Sequence, residues 1–308
     1  MIINTGSRTD IPAYFSRWFY KRIEEGYVMT RNPFYPQQVI KYRLDPAVVD
    51  CLMFCTKNPE PMLARLDELR DFRQCWFVTI TPYGRDVEPW VPDKMRVMDA
   101  FRRLSELVGA RAVGWRYDPI FINDTYTLEF HLEQFERMAA YLSGYTHHCV
   151  ISFIDLYAKT RRNFPGVREV NAAQREQIGR CFADIGKRYG MLIRTCCEGT
   201  ELEKYGIDCG GCMTQPVVEQ AIGVTLNVPG KHSTRAGCDC LIGNDIGMYN
   251  TCGHGCLYCY ANDDRKLVEQ NMKLHDINSP FLVGGFQEGD KIKEARQMSW
   301  LDGQMRLF

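Results

Sequence analysis

Val49-Asp-Cys-Leu-Met-Phe-Cys-Thr-Lys-Asn-Pro59 is the stretch on which the fold turns. The run from Val49 to Cys55 is short and apolar, as a buried parallel strand is. Asn58 and Pro59 then give a helix-start signal ahead of Met62, Leu63, Leu66 and Leu69, whose spacing suits one helical face. A buried strand feeding a capped helix is one β/α unit.

The same unit recurs on both sides. Strand-like runs cover Ile2–Thr5, Cys75–Ile80, Ala112–Trp115, Cys149–Ile154 and Met191–Thr195. Helical patterns start at Asp10 with Pro12, at Asp93, at Thr127 and at Asn171, and later ones stop at Gly109, near Gly144 and at Gly190. This alternation predicts an α/β protein with a parallel sheet and outer helices, as a TIM-like partial (β/α)6 barrel over residues 1–200. From 201 to 262 the chain turns rich in Gly, Cys, Asp and Asn, which reads as a loop-heavy metal-binding segment packed on the barrel mouth. Residues 263–308 are polar with a short apolar end and read as a C-terminal extension.

Composition narrows the classes. The 308 residues are 45% hydrophobic and 25% charged, with a formal net charge of zero. That is an ordinary globular composition, without the broad basic field behind non-specific nucleic-acid binding. The N-terminal Met1-Ile-Ile-Asn-Thr-Gly-Ser-Arg8 lacks the charged and apolar regions of a secretory signal, and no apolar run approaches a membrane span. A cytoplasmic location is expected, with no membrane partner.

Cysteine is the anomaly. Of 14 cysteines, 9 fall between Cys196 and Cys259. In a reducing compartment such a cluster reads as metal ligands, not disulfides. Cys51, Cys55, Cys75, Cys149 and Cys181 stand mostly in apolar runs and read as structural thiols. Cys252-Gly-His-Gly-Cys256-Leu-Tyr-Cys259 has C-x3-C-x2-C spacing. Three thiolates on a tight loop can hold three irons of a [4Fe–4S] cluster and leave the fourth open. The same cysteines with His254 could instead form a zinc site.

The spacing, with Tyr258 before the last cysteine, resembles radical S-adenosylmethionine (SAM) enzymes. The wider string, through Tyr260, Ala261 and Asn262, resembles the cluster loops of spore photoproduct lyase relatives, often labelled DNA repair photolyases. Ser7-Arg-Thr-Asp-Ile-Pro12, Thr56-Lys-Asn-Pro59, Trp115-Arg-Tyr-Asp-Pro119, Ser152-Phe-Ile-Asp155 and Asp245-Ile-Gly-Met-Tyr249 resemble a bacterial family called domain of unknown function eighteen forty-eight. The radical SAM resemblance implies a cluster on Cys252, Cys256 and Cys259. SAM would chelate the open iron, with Tyr258 near its adenine and Tyr260, Asn262, Arg8 and Lys57 as further cofactor-binding side chains. It implies reductive SAM cleavage to a 5′-deoxyadenosyl radical, with flavodoxin or ferredoxin as electron donor. Damaged nucleic acid is the expected substrate class. Because the motif comes late, whereas most such enzymes carry it after the first strand, the barrel is expected to be permuted. A zinc- or iron–sulfur-binding scaffold or redox module is the alternative.

A second set holds Cys196, Cys197, Cys209, Cys212, Cys238 and Cys240. The family resemblance implies that Cys197, Cys212, Cys238 and Cys240 hold an auxiliary [4Fe–4S] cluster; a four-cysteine zinc site and free thiols stay open. Arg8, Asp10, Lys57, Asn58, Thr81, Tyr83, Arg116, Tyr117, Asp118, Asp155, Tyr157 and Glu198 fall near strand ends, where parallel barrels collect polar groups. Among them Arg116, Tyr117 and Asp118 are the expected catalytic residues. Asp10 and Asn58 also suit helix caps. Gln304-Met-Arg-Leu-Phe308 resembles the peptide by which bacterial repair and replication proteins dock on the sliding clamp, the other reading being a tail folded on its own domain.

Overall fold

The structure is a computed structural model that describes residues 1–230, 238–241 and 243–302. The tail Gln304–Phe308 lies outside the described residues. In chain order, β1 (Ile2–Asn4) leads through α1 (Ile11–Tyr14) and α2 (Ser16–Glu25) to a hairpin of β2 (Tyr27–Arg31) and β3 (Gln38–Arg43). Next come β4 (Cys51–Thr56), α3 (Glu60–Leu63), β5 (Gln74–Thr79), α4 (Lys94–Val108), β6 (Val113–Ile120) and α5 (Leu128–Leu142). Then follow β7 (His148–Phe153), α6 (Ala158–Asn163), α7 (Ala172–Arg188), β8 (Leu192–Thr195), α8 (Gln215–Ile222), α9 (Arg265–Lys273) and β9 (Lys291–Glu294).

One six-stranded sheet runs in the order β1-β4-β5-β6-β7-β8, and every neighbouring pair in it is parallel. The strand-to-helix alternation expected from the sequence is therefore real. The helices start where their caps stand. Asp93 accepts from Met95 N and Arg96 N at the head of α4, and Thr127 from Phe130 N at the head of α5. Asn171 and Gln174 form a reciprocal capping box on α7. Two of the expected helices are broken: the first into α1 and α2 at Phe15, and the one after Asn58 into α3 and a 3-10 turn at Leu66–Leu69.

The helix-side face of the sheet is the aromatic core. Phe54 stacks on Trp76 with centroids 4.0 Å apart, and Phe135 stacks on Phe182 at 3.6 Å. Trp115 joins that second stack at 4.9 Å from Phe135. Each such ring removes on the order of 2–3 kcal/mol worth of apolar surface from water.

Two features differ from the sequence expectation. A second sheet, β2-β3-β9, joins an early hairpin to a late strand. Residues beyond 263 are also tied back: β9 pairs with β3, Trp300 is buried, and Trp300 N donates to Asp50 Oδ2 at 2.8 Å. No helix among the described residues is long and apolar enough to cross a membrane.

Candidate functional site

The strands of the main sheet end together, and the loop Cys252–Cys259 lies over the carboxyl ends of β1, β4 and β5. Asp10, just past β1, anchors it. The Asp10 carboxylate caps Ala13 N at 3.0 Å, accepts from Lys57 N at 2.7 Å, and meets His254 Nε2 at 2.8 Å. Tyr14 Oη meets the other ring nitrogen, Nδ1, at 3.1 Å. Both nitrogens of His254 are thus committed to protein groups, and its side chain is buried. A zinc site using His254 would have to break one of those bonds.

The far half of the loop is held by the segment after β5. Leu257 N donates to Val87 O at 3.0 Å, and Trp90 N donates to His254 O at 3.2 Å. The Trp90 ring lies so close to the loop that a Cβ on Gly255 would come within 2.1 Å of it. Gly255 also has φ +68, a left-handed conformation that a side chain disfavours. Gly253 faces Tyr14 in the same way, with 2.7 Å available. The two glycines of the cysteine motif are therefore places where rings press on backbone.

Glu88 is the electrostatic hub. It accepts from Lys57 Nζ at 2.8 Å and Thr81 Oγ1 at 2.7 Å, and also from Lys94 Nζ and Tyr258 Oη. Burial opposes its ionisation, but the two ammonium groups outweigh that and hold the carboxyl down to about 2. Burial is also the main influence on the loop thiols; it pushes Cys252, Cys256 and Cys259 above the ordinary thiol value. Part-buried neutral thiols with a lysine close by are a donor set that a metal centre can convert to thiolates.

Of the expected cofactor-binding residues, Tyr258 and Lys57 meet at Glu88, with the ammonium 5.5 Å from the Tyr258 ring centre. Tyr260 is half exposed and donates to Ser7 O at 2.7 Å. Asn262 is buried; its Nδ2 donates to Cys252 O at 2.8 Å, while its Oδ1 has no hydrogen-bond partner. Arg8 lies 5.7 Å from the Tyr249 ring.

The expected catalytic trio is split. β6 runs past Trp115 to Ile120, so Arg116, Tyr117 and Asp118 lie inside a strand and alternate across it. Arg116 pairs with Asp118, which also accepts from Ser152 Oγ. Tyr117 goes the other way: it is fully buried against Trp115, Phe135 and Phe182, with its hydroxyl 2.8 Å from His131 Nδ1. Strand alternation thus turns Tyr117 into the helix layer, away from Arg116 and Asp118.

The second cysteine set gathers at the end of β8. Cys212 Sγ lies 3.3 Å from Cys196 Sγ and 3.5 Å from Cys240 Sγ. The three sulfurs are mutually within 4.8 Å, the one such group among the described residues. Of the expected set of Cys197, Cys212, Cys238 and Cys240, the trio includes Cys212 and Cys240, and Cys196 joins them in place of Cys197 and Cys238. Cys197 follows in a left-handed conformation with φ +61, and Cys238 is buried two residues before Cys240. Hydrogen bonds with Cys196 and Cys240, with the Arg116 guanidinium beside them, hold Cys212 well below the ordinary thiol value.

The sequence reading did not find Tyr14, Glu88 or Trp90. Glu88 had one local signal, a charged residue inside the run Val87-Glu-Pro-Trp-Val91. Tyr14 and Trp90 look like ordinary core aromatics in the sequence.

The profile of a family described as Domain of unknown function (DUF1848) matches residues 2–261. No curated protein and no solved structure matches the chain.

Proposed function

The chain belongs to the DUF1848 family, and we propose that it is a radical SAM enzyme whose [4Fe–4S] cluster is held by Cys252, Cys256 and Cys259. The observation that carries this reading is the loop itself. It presents three part-buried cysteines at the carboxyl ends of parallel strands, where such sheets place ligands, and its only histidine is occupied by Tyr14 and Asp10. The donor set is then three thiolates with no fourth, which fits a cluster with one open iron better than a closed zinc site.

The same reading makes the sheet a permuted partial barrel. Asn244–Ile246 lie along the outer edge of β1: Asn4 N donates to Asn244 O at 2.9 Å, Ile246 N to Asn4 O at 2.9 Å, and Asn4 pairs in parallel with Asp245. In space this short segment precedes β1, and the cysteine loop follows it directly. In this reading the segment takes the place of the strand that leads into a cluster loop, although it comes late in the chain and forms a single bridge to Asn4.

A reduced cluster held by Cys252, Cys256 and Cys259 would supply the one electron needed to split SAM into methionine and a 5′-deoxyadenosyl radical. The chain's own residues would prepare that event. Trp90 and Tyr14 close the two sides of the loop against water. Glu88 fixes the Tyr258 hydroxyl and pairs with both Lys57 and Lys94, leaving one net positive charge in the group. Asn262 Oδ1, a buried acceptor without a partner, is the group we assign to the ammonium of the methionyl part of SAM. Arg116 and Asp118 face the same concave side and are assigned to substrate. Flavodoxin or ferredoxin is the proposed electron donor, and damaged nucleic acid the proposed substrate class.

Anaerobic purification tests this directly. A brown protein that yields 5′-deoxyadenosine from SAM and dithionite, and loses both properties in Cys252→Ala, Cys256→Ala and Cys259→Ala, supports the reading. A colourless zinc protein inert toward SAM overturns it, and an iron protein that ignores SAM makes it a redox module instead. Raised 5′-deoxyadenosine yield with ultraviolet-damaged DNA over undamaged DNA tests the substrate class.

A further inference from the structure

The trio at the end of β8 is built for a different number of metal atoms than the loop. The geometry points to a mononuclear site in which Cys196, Cys212 and Cys240 hold one Zn2+-class ion, and not to a second [4Fe–4S] cluster.

Spacing is the first argument. Ligands on one tetrahedral zinc at about 2.3 Å stand about 3.8 Å from each other. The sulfur pairs at 3.3 Å and 3.5 Å are close to that spacing. In a cubane each cysteine binds a separate iron and points away from the centre, so the cysteine sulfurs are held well apart. The two cysteine sets differ in that sense: the loop sulfurs of Cys252, Cys256 and Cys259 do not gather within the 4.8 Å that encloses the trio.

Charge and surroundings agree. Three thiolates and one divalent ion leave one negative charge, and the part-buried Arg116 guanidinium, which pairs with Asp118 and also interacts with Cys212, Cys196 and Cys55, contributes positive charge beside them. Met213 N donates to Cys240 Sγ at 3.3 Å, the kind of backbone bond that orients a metal-bound thiolate. Cys212 and Cys240 are buried, so an ion there would be shielded from water on that side.

The positions also give the ion a task. Cys196 follows β8, the last strand of the sheet. Cys212 stands just ahead of α8. Cys240 shortly precedes the Asn244–Ile246 segment that borders β1, the first strand. One ion would therefore join the end of the sheet at β8 to the chain that covers its opposite edge, immediately before that chain enters the cysteine loop.

The test uses the full chain with Cys252, Cys256 and Cys259 all changed to Ala, which removes competing loop ligands. Purified anaerobically, it should be colourless and retain about one zinc per chain by mass spectrometry. Adding Cys212→Ser should remove that zinc. Replacement by Co2+ should give the thiolate charge-transfer and intense visible bands of a tetrahedral sulfur site. A brown triple variant with about four irons would overturn the proposal. So would a zinc-free native protein whose Cys196, Cys212 and Cys240 react as free thiols or pair as a disulfide. Should the triple variant not fold, the native chain decides: about one zinc beside its iron supports the site, and none overturns it. This proposal does not depend on SAM chemistry, which is measured separately on the native chain.

Discussion

His254 and Asp10 are 244 residues apart in the chain, and 2.8 Å separates His254 Nε2 from Asp10 Oδ2. This contact fixes the cysteine loop to the first β/α turn. The carboxylate also caps α1 and binds Lys57 N, so one side chain sets the positions of three segments.

Asp10→Ala should therefore cost about 3 kcal/mol, because it strands three donors in a buried site. Urea unfolding of the metal-free chain measures the loss. Iron incorporation should fall in the same variant, and Asp10→Asn should retain more of both. An unchanged urea midpoint for Asp10→Ala would refute the anchoring role.

Gly255→Ala should distort the loop, since the new Cβ meets Trp90 at 2.1 Å in a left-handed conformation. A loss of roughly 2–4 kcal/mol is expected, with impaired iron binding. Shrinking the ring with Trp90→Ala in the same chain should recover part of the iron content but not the conformational cost. Equal iron in Gly255→Ala and the native chain would mean that the loop has room the structure does not show.

Glu88 should make the protein sensitive to strong acid. Its folded value near 2 lies below the unfolded carboxyl value of about 4.3, so the group stabilises the fold above that unfolded value. The contribution, on the order of 3 kcal/mol, is lost as pH falls from about 4.3 through 2. Glu88→Gln should be less stable at neutral pH and lose less on acidification. Parallel acid titrations of unfolding free energy for the two chains provide the check.

Tyr117 and His131 should matter for folding and not for chemistry. Tyr117→Phe leaves His131 Nδ1 without its partner and should cost about 1–2 kcal/mol. Iron content and SAM cleavage should stay at native levels; a large loss of turnover with normal stability would return Tyr117 to the site. Burial lowers His131 itself to about 4. Its neutral form stabilises the fold above the unfolded value near 6.5, and about 3 kcal/mol is lost as pH falls from there toward 4. His131→Gln should show a shallower acid decline over that window.

Much of the architecture is legible because each β/α unit carries its own signals. Val49–Cys55 is an apolar run, and Asp93, Thr127 and Asn171 are caps whose partners lie within a few residues. The hairpin is less visible, since β2 and β3 mix apolar with charged residues and do not read as buried parallel strands. β9 is four exposed residues, Lys291-Ile-Lys-Glu294, and only its pairing with β3 makes it a strand. In the site, the motif cysteines announce themselves by spacing. The choice between Cys196 and Cys197 does not, because it depends on the turn of the backbone at a single left-handed residue. Arg116 and Tyr117 likewise could be told apart only once β6 was known to continue through both.

The pairing of Asn4 with residues 244–246 has a consequence for how the protein is made. Translation yields β1 first, yet the segment that covers its outer edge emerges about 240 residues later, on the order of tens of seconds at ribosomal rates. Through that interval the nascent sheet presents an uncovered strand edge, the feature most prone to pairing with a neighbouring chain. The same late segment leads into the proposed cluster cysteines Cys252, Cys256 and Cys259. Edge protection and the thiols of that loop thus become available at the same moment of synthesis, and chains released early would lack both.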